Sequence, residues 1–389
     1  MKSDFAIHRP KPVLLPSFTS VRRKAPRPLA LRDPDFDAQF DDEVLFFDCF
    51  YRQDGRIGMV GPSLHNLRSA IKAGTFRSGL DGAPLAFRVI EMDRCAQVIV
   101  DAPQGLKTLT LECEFGTTEI EIQPMEVDAF AGRRVVITIS KDNKLVWIRD
   151  WLNYACRVHG ANAIVIYDNG STLYSHEELL ETIASVEGLA AARVVPWPFK
   201  FGPQGTLARG SWDSDYCQLG AWEHVRWKYL SSAKSVQNSD IDELVVSSKG
   251  QSNFAAAEAS HFGFLKYRGR WIVGTSNTDI PSRDPSRRHR DYNTVLRKRF
   301  EYKYGIWPRE QTACFPKWTV VPSKCPAYAQ WKMHTISNWL PALRVSRTFS
   351  FRHFREISDS WKYLRSDRPE FDPDVHEYDS LMDSHFSRL

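Results

Sequence analysis

The chain has 389 residues, is 42% apolar and 25% charged, and carries a formal net charge of +5. These values exclude a disordered or low-complexity chain and leave an ordinary globular protein of about two or three domains. The mild charge and the lack of a compact nucleic-acid motif exclude nucleic acid as the expected partner, and without an apolar run of about 18 residues no spanning helix is expected.

Seven cysteines lie at long spacings with no CxxC pair. That pattern favours neither a zinc site nor a disulfide framework and points to a reducing compartment. The first residues, Met1 to His8, have no apolar core of the kind a secretory signal needs. A cytoplasmic protein is expected. Basic clusters from Arg283 to Arg299 and from Arg347 to Arg365 add at most a peripheral contact at the inner face of a membrane.

Residues 1–35 hold Pro10, Pro12, Pro16, Pro26, Pro28 and Pro34 and read as an extended arm. Residues 36–130 change to short alternating runs, such as Thr108–Cys113 and Thr118–Gln123, spaced by turn signals. They predict a small β-rich accessory domain, sandwich- or barrel-like. A saccharide-binding role for it is one option and a purely structural role the other.

A different texture begins near residue 131 and is expected to run to 345 as an α/β domain. Arg134–Ser140 is a doubly apolar strand. A helix follows from about Lys144 to His159, with Ile148, Trp151, Leu152 and Ala155 on one stripe and Gly160 as its stop. Ala163–Tyr167 and Ala192–Pro196 are further strands. Between them, Ser175 to Glu178 form a capping box that opens a second helix. A third helix is expected over about Ser214 to Leu230. This βα series predicts a mainly parallel sheet flanked by helices. Residues 346–389 are expected to be a helical extension, with Phe351–Arg365 as its mixed basic and aromatic helix.

In open α/β sheets ligands bind beyond the carboxyl ends of the strands. Three polar loops fall there: Ser140–Asn143, Asp168–Ser171 and Asp240–Asp242. Ser140, Asp142, Asp168 and Asn169 are therefore candidate contacts for a nucleotide. If Asp240 and Asp242 are extended, positions i and i+2 project to one side, and a divalent cation between two like charges would relieve their repulsion. The bland alternative is a solvated acidic turn. Neither a glycine fingerprint nor a P-loop follows the first strand.

The combination of Lys141–Leu152, His159-Gly160, Tyr167–Ser171, Asp240–Glu243 and Trp331–His334, echoed by Phe351–Phe354 and Trp361-Lys362, resembles glycosyltransferases of the GT-A type. The closest likeness is to glycosyltransferase family 92 and the related family 2-like bacterial group. The resemblance covers roughly residues 133–365. It implies a GT-A-like domain, a nucleotide-sugar donor, and Mn2+ (or Mg2+) held by Asp240 and Asp242 with His334 completing the metal or diphosphate site. It further implies that Asp168 contacts the nucleoside. Arg352 and His353 are candidate donor contacts if the Phe351–Arg365 segment is a phosphate clamp, the alternatives being a helix packed on the domain or a membrane-surface contact. Val236–Ser239 departs from the pattern, being more polar than the buried strand usual before such a motif.

Transfer to a saccharide or lipid-linked saccharide hydroxyl in cell-surface polysaccharide synthesis is the expected activity, and the resemblance implies an inverting route. Such a route needs a carboxylate to take the acceptor proton. Glu258, Asp284 and Asp291 are the candidates, with Glu258 preferred, although each also suits a surface or structural position. A nucleotidyltransferase and a non-catalytic saccharide-binding protein are the alternatives.

Overall fold

The structure is a computed structural model, and it describes residues 4–203, 213–274, 287–303, 307–357 and 371–389. Its centre is an 11-stranded mixed sheet. In chain order the first strand is β1 (Phe5–Ile7), followed after a long interval by β2 (Arg134–Ser140), helix α1 (Leu145–His159) and β3 (Ala163–Asp168). Helix α2 (His176–Ala184), strand β4 (Ala191–Pro196), helix α3 (Tyr216–Lys228) and strand β5 (Ser235–Asn238) come next. The later elements are β6 (Glu243–Ser247), α4 (Asn253–Ala259), β7 (Phe264–Gly274), β8 (Thr294–Leu296) and β9 (Ala313–Val320). Strands β10 (Phe349–Phe354) and β11 (His376–Tyr378) and helix α5 (Ser380–Phe386) complete the order.

Strands β1, β4, β3, β2 and β5 run parallel, in that spatial order. Their apolar runs are buried on both faces, as crossover helices require. Beyond β5 the sheet turns antiparallel through β9, β7, β8 and β11. Among the described residues strand β6 pairs only with β10, which in turn lies parallel to β7. The reversal of direction beside β5 puts the chain between β5 and β6 at the carboxyl edge of the parallel half.

Local signals explain the helices. Gly160 takes φ 75°, a left-handed conformation that glycine reaches without a Cβ clash, and its N–H closes α1 on Ala155 and Cys156. At α2 the Ser175 side chain accepts from the Glu178 N–H while Glu178 reaches back, so both halves of the capping box are made.

The polar strand β5 is fully buried, and its side chains find partners. Asn253 Nδ2 donates to Gln237 Oε1 at 2.7 Å and to Thr319 Oγ1 at 2.9 Å, and Asn238 Nδ2 donates to the Met333 carbonyl at 2.7 Å. Its unusual polarity is thus largely matched by polar groups on α4, on β9 and in the chain after β9, with Asn238 Oδ1 left without a partner among the described residues.

Residues 48–121 hold two four-stranded antiparallel sheets, ordered 48–51, 57–62, 95–100, 87–91 and 116–121, 108–113, 75–78, 84–85. Met59 and Val98 from one sheet and Leu109, Leu111 and Ile120 from the other share one core. Helix α3 joins these sheets to the large one. A Cβ on Gly220 would lie 2.4 Å from the Phe47 ring, so only glycine permits this approach. Glu223, fully buried, accepts from Gln97 Nε2 at 2.7 Å.

Three expectations fail. Phe5–Ile7 is not a loose arm but an edge strand on β4. Residues 346–389 are not a helical extension, because β10 and β11 both enter the large sheet. Phe351–Phe354 forms strand rather than helix, and the remainder of that segment, from 358 onward, falls outside the described residues. All seven cysteines are free. Among the described residues no helix is long and apolar enough to cross a membrane.

Candidate functional site

The acidic stretch between β5 and β6 is a turn, not an extended segment. The Glu243 N–H donates to the Asp240 carbonyl at 3.0 Å, and Glu243 Oε2 accepts from the Asp240 N–H at 3.0 Å. Three further bonds fix it. The Ser239 N–H reaches the Ile137 carbonyl of β2, the Phe354 N–H reaches the Asp242 carbonyl, and His289 Nε2–H donates to the Ile241 carbonyl at 2.8 Å. Asp240 and Asp242 therefore do not share one side through strand periodicity. They diverge toward different partners.

Asp240 meets Lys317, whose ammonium on β9 lies 2.6 Å from Asp240 Oδ2 and 3.1 Å from Glu243 Oε2. Asp242 meets His353 on β10, with Nε2 to Oδ2 at 3.1 Å, while His353 Nδ1 stands 3.9 Å from Glu243 Oε1. The His353 ring is stacked on Trp271, with centroids 4.0 Å apart, which fixes its plane. Asp242, Glu243 and His353 bring three ligand atoms within 4.8 Å of one another.

Burial pushes the Glu243 carboxyl up, with Asp240 and Asp242 adding to the effect against Lys317. Lys317 keeps its charge despite burial because Asp240 and Glu243 raise it. Burial, reinforced by the Lys317 charge, lowers His334 to about 4. His334 is thus a neutral imidazole, and with Nδ1 facing the Pro316 carbonyl at 3.2 Å it carries its proton there and leaves Nε2 as the acceptor. It stacks on Phe315 beside Asp240 and Lys317 and is not one of the three clustered ligands.

The neighbouring strand ends supply the other loops. Ser140 and Asp168 are direct neighbours in the β2–β3 ladder. Asp168 is buried and held by the Ser171 hydroxyl, the Ser171 N–H at 3.2 Å and His176 Nε2 at 3.0 Å. Asn169 Nδ2 donates to the Trp197 and Phe199 carbonyls at 2.7 and 2.9 Å, and Ser140 Oγ accepts from Asn143. Asp142, at φ 53°, accepts from the Thr172 and Leu173 N–H groups. These four residues order the loops at the same edge as the acidic turn. Their hydrogen-bonding groups are largely committed to that task.

Other candidates lie elsewhere. Glu258 pairs with Arg134 at 2.8 Å and accepts from Ser235 at 2.7 Å. Arg134 and Ser235 begin β2 and β5, so Glu258 sits at the amino edge, opposite the acidic turn. Burial opposes its charge, but Arg134 and Ser235 win and hold it at about 2. Asp291 caps a short turn by accepting from the Arg288 N–H at 2.7 Å. Arg352 forms a buried ion pair with Asp379. It is adjacent to His353 on β10, so its side chain leaves by the opposite face. Asp284 lies outside the described residues.

Sequence reasoning missed Lys317, Trp271 and His289. A lysine flanked by Phe315, Trp318 and Val320 in a strand pattern was the available signal, since an unpaired lysine is rarely buried. The stacking of Trp271 on His353 spans two distant segments and left no local trace.

A second group, His8, Asp48 and His224, also brings three ligand atoms within 4.8 Å. Here the Lys228 ammonium lies 3.7 Å from the Asp48 oxygen that faces both histidines. Asp48, His224 and Lys228 are all fully buried. The lysine already supplies the cation, and the group acts as a buried tie between β1, the N-terminal sheets and α3. In the acidic turn, by contrast, Lys317 occupies Asp240 Oδ2 and Glu243 Oε2, leaving Glu243 Oε1 turned toward Asp242 and His353.

No protein-family model matches the chain, and no curated protein matches it.

Proposed function

We propose that the chain is a metal-dependent glycosyltransferase of GT-A-like architecture, moving a sugar from a nucleotide-diphosphate donor to a saccharide or lipid-linked saccharide hydroxyl. The observation that carries this reading is the meeting of Asp242, Glu243 and His353 at the carboxyl edge of the parallel strands, beside the loops of Asp142 and Asp168. Ligands of α/β sheets bind at that edge.

The donor set fits Mn2+ or Mg2+. Two carboxylates and one imidazole suit a hard to borderline divalent ion, the imidazole favouring manganese. Asp240 Oδ1, on the same turn but outside that cluster, is buried without a hydrogen-bond partner among the described residues. When bound, the ion supplies positive charge for a departing diphosphate. The chain's own residues do the rest. Lys317 keeps Asp240 and Glu243 in place, Trp271 holds the His353 ring flat, and His289 anchors the backbone between the two aspartates.

The test is donor hydrolysis and transfer with a panel of nucleotide sugars, with and without manganese, in wild type and Asp242→Ala. Manganese-dependent turnover lost in the variant is expected. Equal turnover in the two proteins, or in chelator, would remove the metal role. Pyrophosphate release from a nucleoside triphosphate would instead identify a nucleotidyltransferase. Polysaccharide binding with no affinity for any nucleotide sugar would identify a binding protein.

A further inference from the structure

The chain around and beyond the acidic turn's lysine has an uneven composition. From Gln311 to Arg355 there is no Asp or Glu, while Lys317, Lys324, Lys332, Arg344, Arg347, Arg352 and Arg355 are all basic. Lys317 and Arg352 are buried with carboxylate partners, and Lys332 pairs with Asp93 at 2.7 Å. Lys324, Arg344 and Arg347 remain exposed, and among the described residues none of the three has a carboxylate at ion-pair distance. Lys324 spends its ammonium on the Glu258 and Ser260 carbonyls, and the Glu258 carboxylate itself turns to Arg134.

The same stretch carries an open groove of about 870 Å³ lined by Phe262, Tyr328, Trp339, Leu340 and Leu343. Its outer side chains are bare: Leu340 is 81% exposed, Leu343 77% and Tyr328 70%. Leu340–Leu343 form a short 3-10 turn that presents both leucines together, while Trp339 is anchored from beneath by Phe264 at 5.2 Å. The groove begins at Thr335, one residue past His334 in the chain.

We infer that this face docks on an anionic lipid surface. Exposed leucines beside a tyrosine and a tryptophan fit the apolar-to-polar boundary of a bilayer. Lys324, whose side chain packs against Gly263 beside Phe262, and Arg344 and Arg347, which follow Leu343 in the chain, form a basic rim without carboxylate partners among the described residues. It fits acidic headgroups and would be repelled by a basic partner. A second copy of this chain would bring the same basic rim against itself, which counts against self-association. The inference does not depend on the transferase reading, because it concerns where the molecule sits and not what it turns over.

The experiment is cosedimentation of the full chain with phosphatidylcholine vesicles, alone or mixed with phosphatidylglycerol, at low and raised salt. The wild type should sediment with the mixed vesicles and not with phosphatidylcholine alone. The double substitution Leu340→Ser and Leu343→Ser should lower vesicle affinity by more than about tenfold. Arg344→Ser and Arg347→Ser should each lower it about fivefold and flatten its salt dependence. Leu80→Ser, at a position 82% exposed in the N-terminal sheets, serves as the control and should leave binding unchanged. Both leucines of the groove are exposed, so an unchanged melting temperature confirms that the variants fold. Failure of the wild type to bind mixed vesicles overturns the inference, as does an equal loss in Leu80→Ser. A dimer that the double substitution converts to monomer, with vesicle binding unaltered, overturns it in favour of a second copy.

Discussion

Lys317 places its ammonium 2.6 Å from Asp240 and 3.1 Å from Glu243, inside the acidic turn and with almost no exposure to solvent. The lysine is the internal counter-charge that lets Asp240 and Glu243 sit together in one turn. Removing one member of a buried pair leaves the other uncompensated, at a cost of about 3–5 kcal/mol. We expect Lys317→Met to lower the melting temperature sharply and manganese to recover part of the loss. Differential scanning calorimetry with and without the ion measures both, and a variant as stable as wild type would show that the turn does not need this charge.

His353 and Asp242 should be required for manganese to stabilise the protein. A ligand that binds only the folded state raises the melting temperature. Asp242→Asn and His353→Gln should each reduce manganese affinity by at least about tenfold, judged by how strongly even an outer-shell partner affects a metal site. Thermal-shift titration gives the affinities. An undiminished shift in either variant would remove that residue from the ligand set.

Glu258 should be dispensable for the reaction. Its partners Arg134 and Ser235 lie at the amino edge of the sheet. We expect Glu258→Gln to retain its turnover number while losing about 1–3 kcal/mol of stability through the weakened ion pair. Urea denaturation alongside an activity assay separates the two effects. A collapse of turnover without loss of stability would restore Glu258 as a catalytic group.

The tie made by His8 should depend on pH in a defined direction. Burial opposes its charge, but Asp48 and Glu126 outweigh burial and the repulsion of Lys228, raising its pKa above 6.5. His224 and Tyr229 also pack against the ring and complete its surroundings. Stability from a raised histidine is whole below its unfolded value and is lost as pH rises through the folded one. Glu126 works in the opposite sense: burial raises it, His8 and Arg193 more than compensate, and it falls from 4.5 to about 2. Its contribution is whole above 4.5 and is lost as pH falls toward 2. The stability gap between wild type and His8→Gln should therefore be widest between these two unfolded values and shrink under alkaline conditions. Urea denaturation across that range provides the check, and a gap constant with pH would exclude the charged tie.

The parallel half of the sheet was legible because its strands are apolar on both faces and its helices carry their own start and stop signals, Ser175 with Glu178 and Gly160. Strand β10 was not. Phe351, Phe354 and Ile357 recur at a helical spacing, yet β6 and β7 supply ladder partners on both sides and override it. The acidic turn was found by composition, but its shape was misread, because the bonds that bend it come from Glu243, His289 and Phe354. Nor could spacing tell which edge Glu258 occupies; that follows from its pairing with Arg134. The prolines of residues 1–35 masked the strand character of Phe5–Ile7, which depends on β4 for its partner.

That last pairing has a bearing on how the protein is made. Phe5 lies opposite Ala192, so the two halves of the ladder leave the ribosome about 190 residues apart. At ordinary rates of synthesis this is a wait of roughly 10–40 s. During that interval Phe5–Ile7 has no strand to join. The outer edge of the large sheet is closed late, by a segment that was translated early.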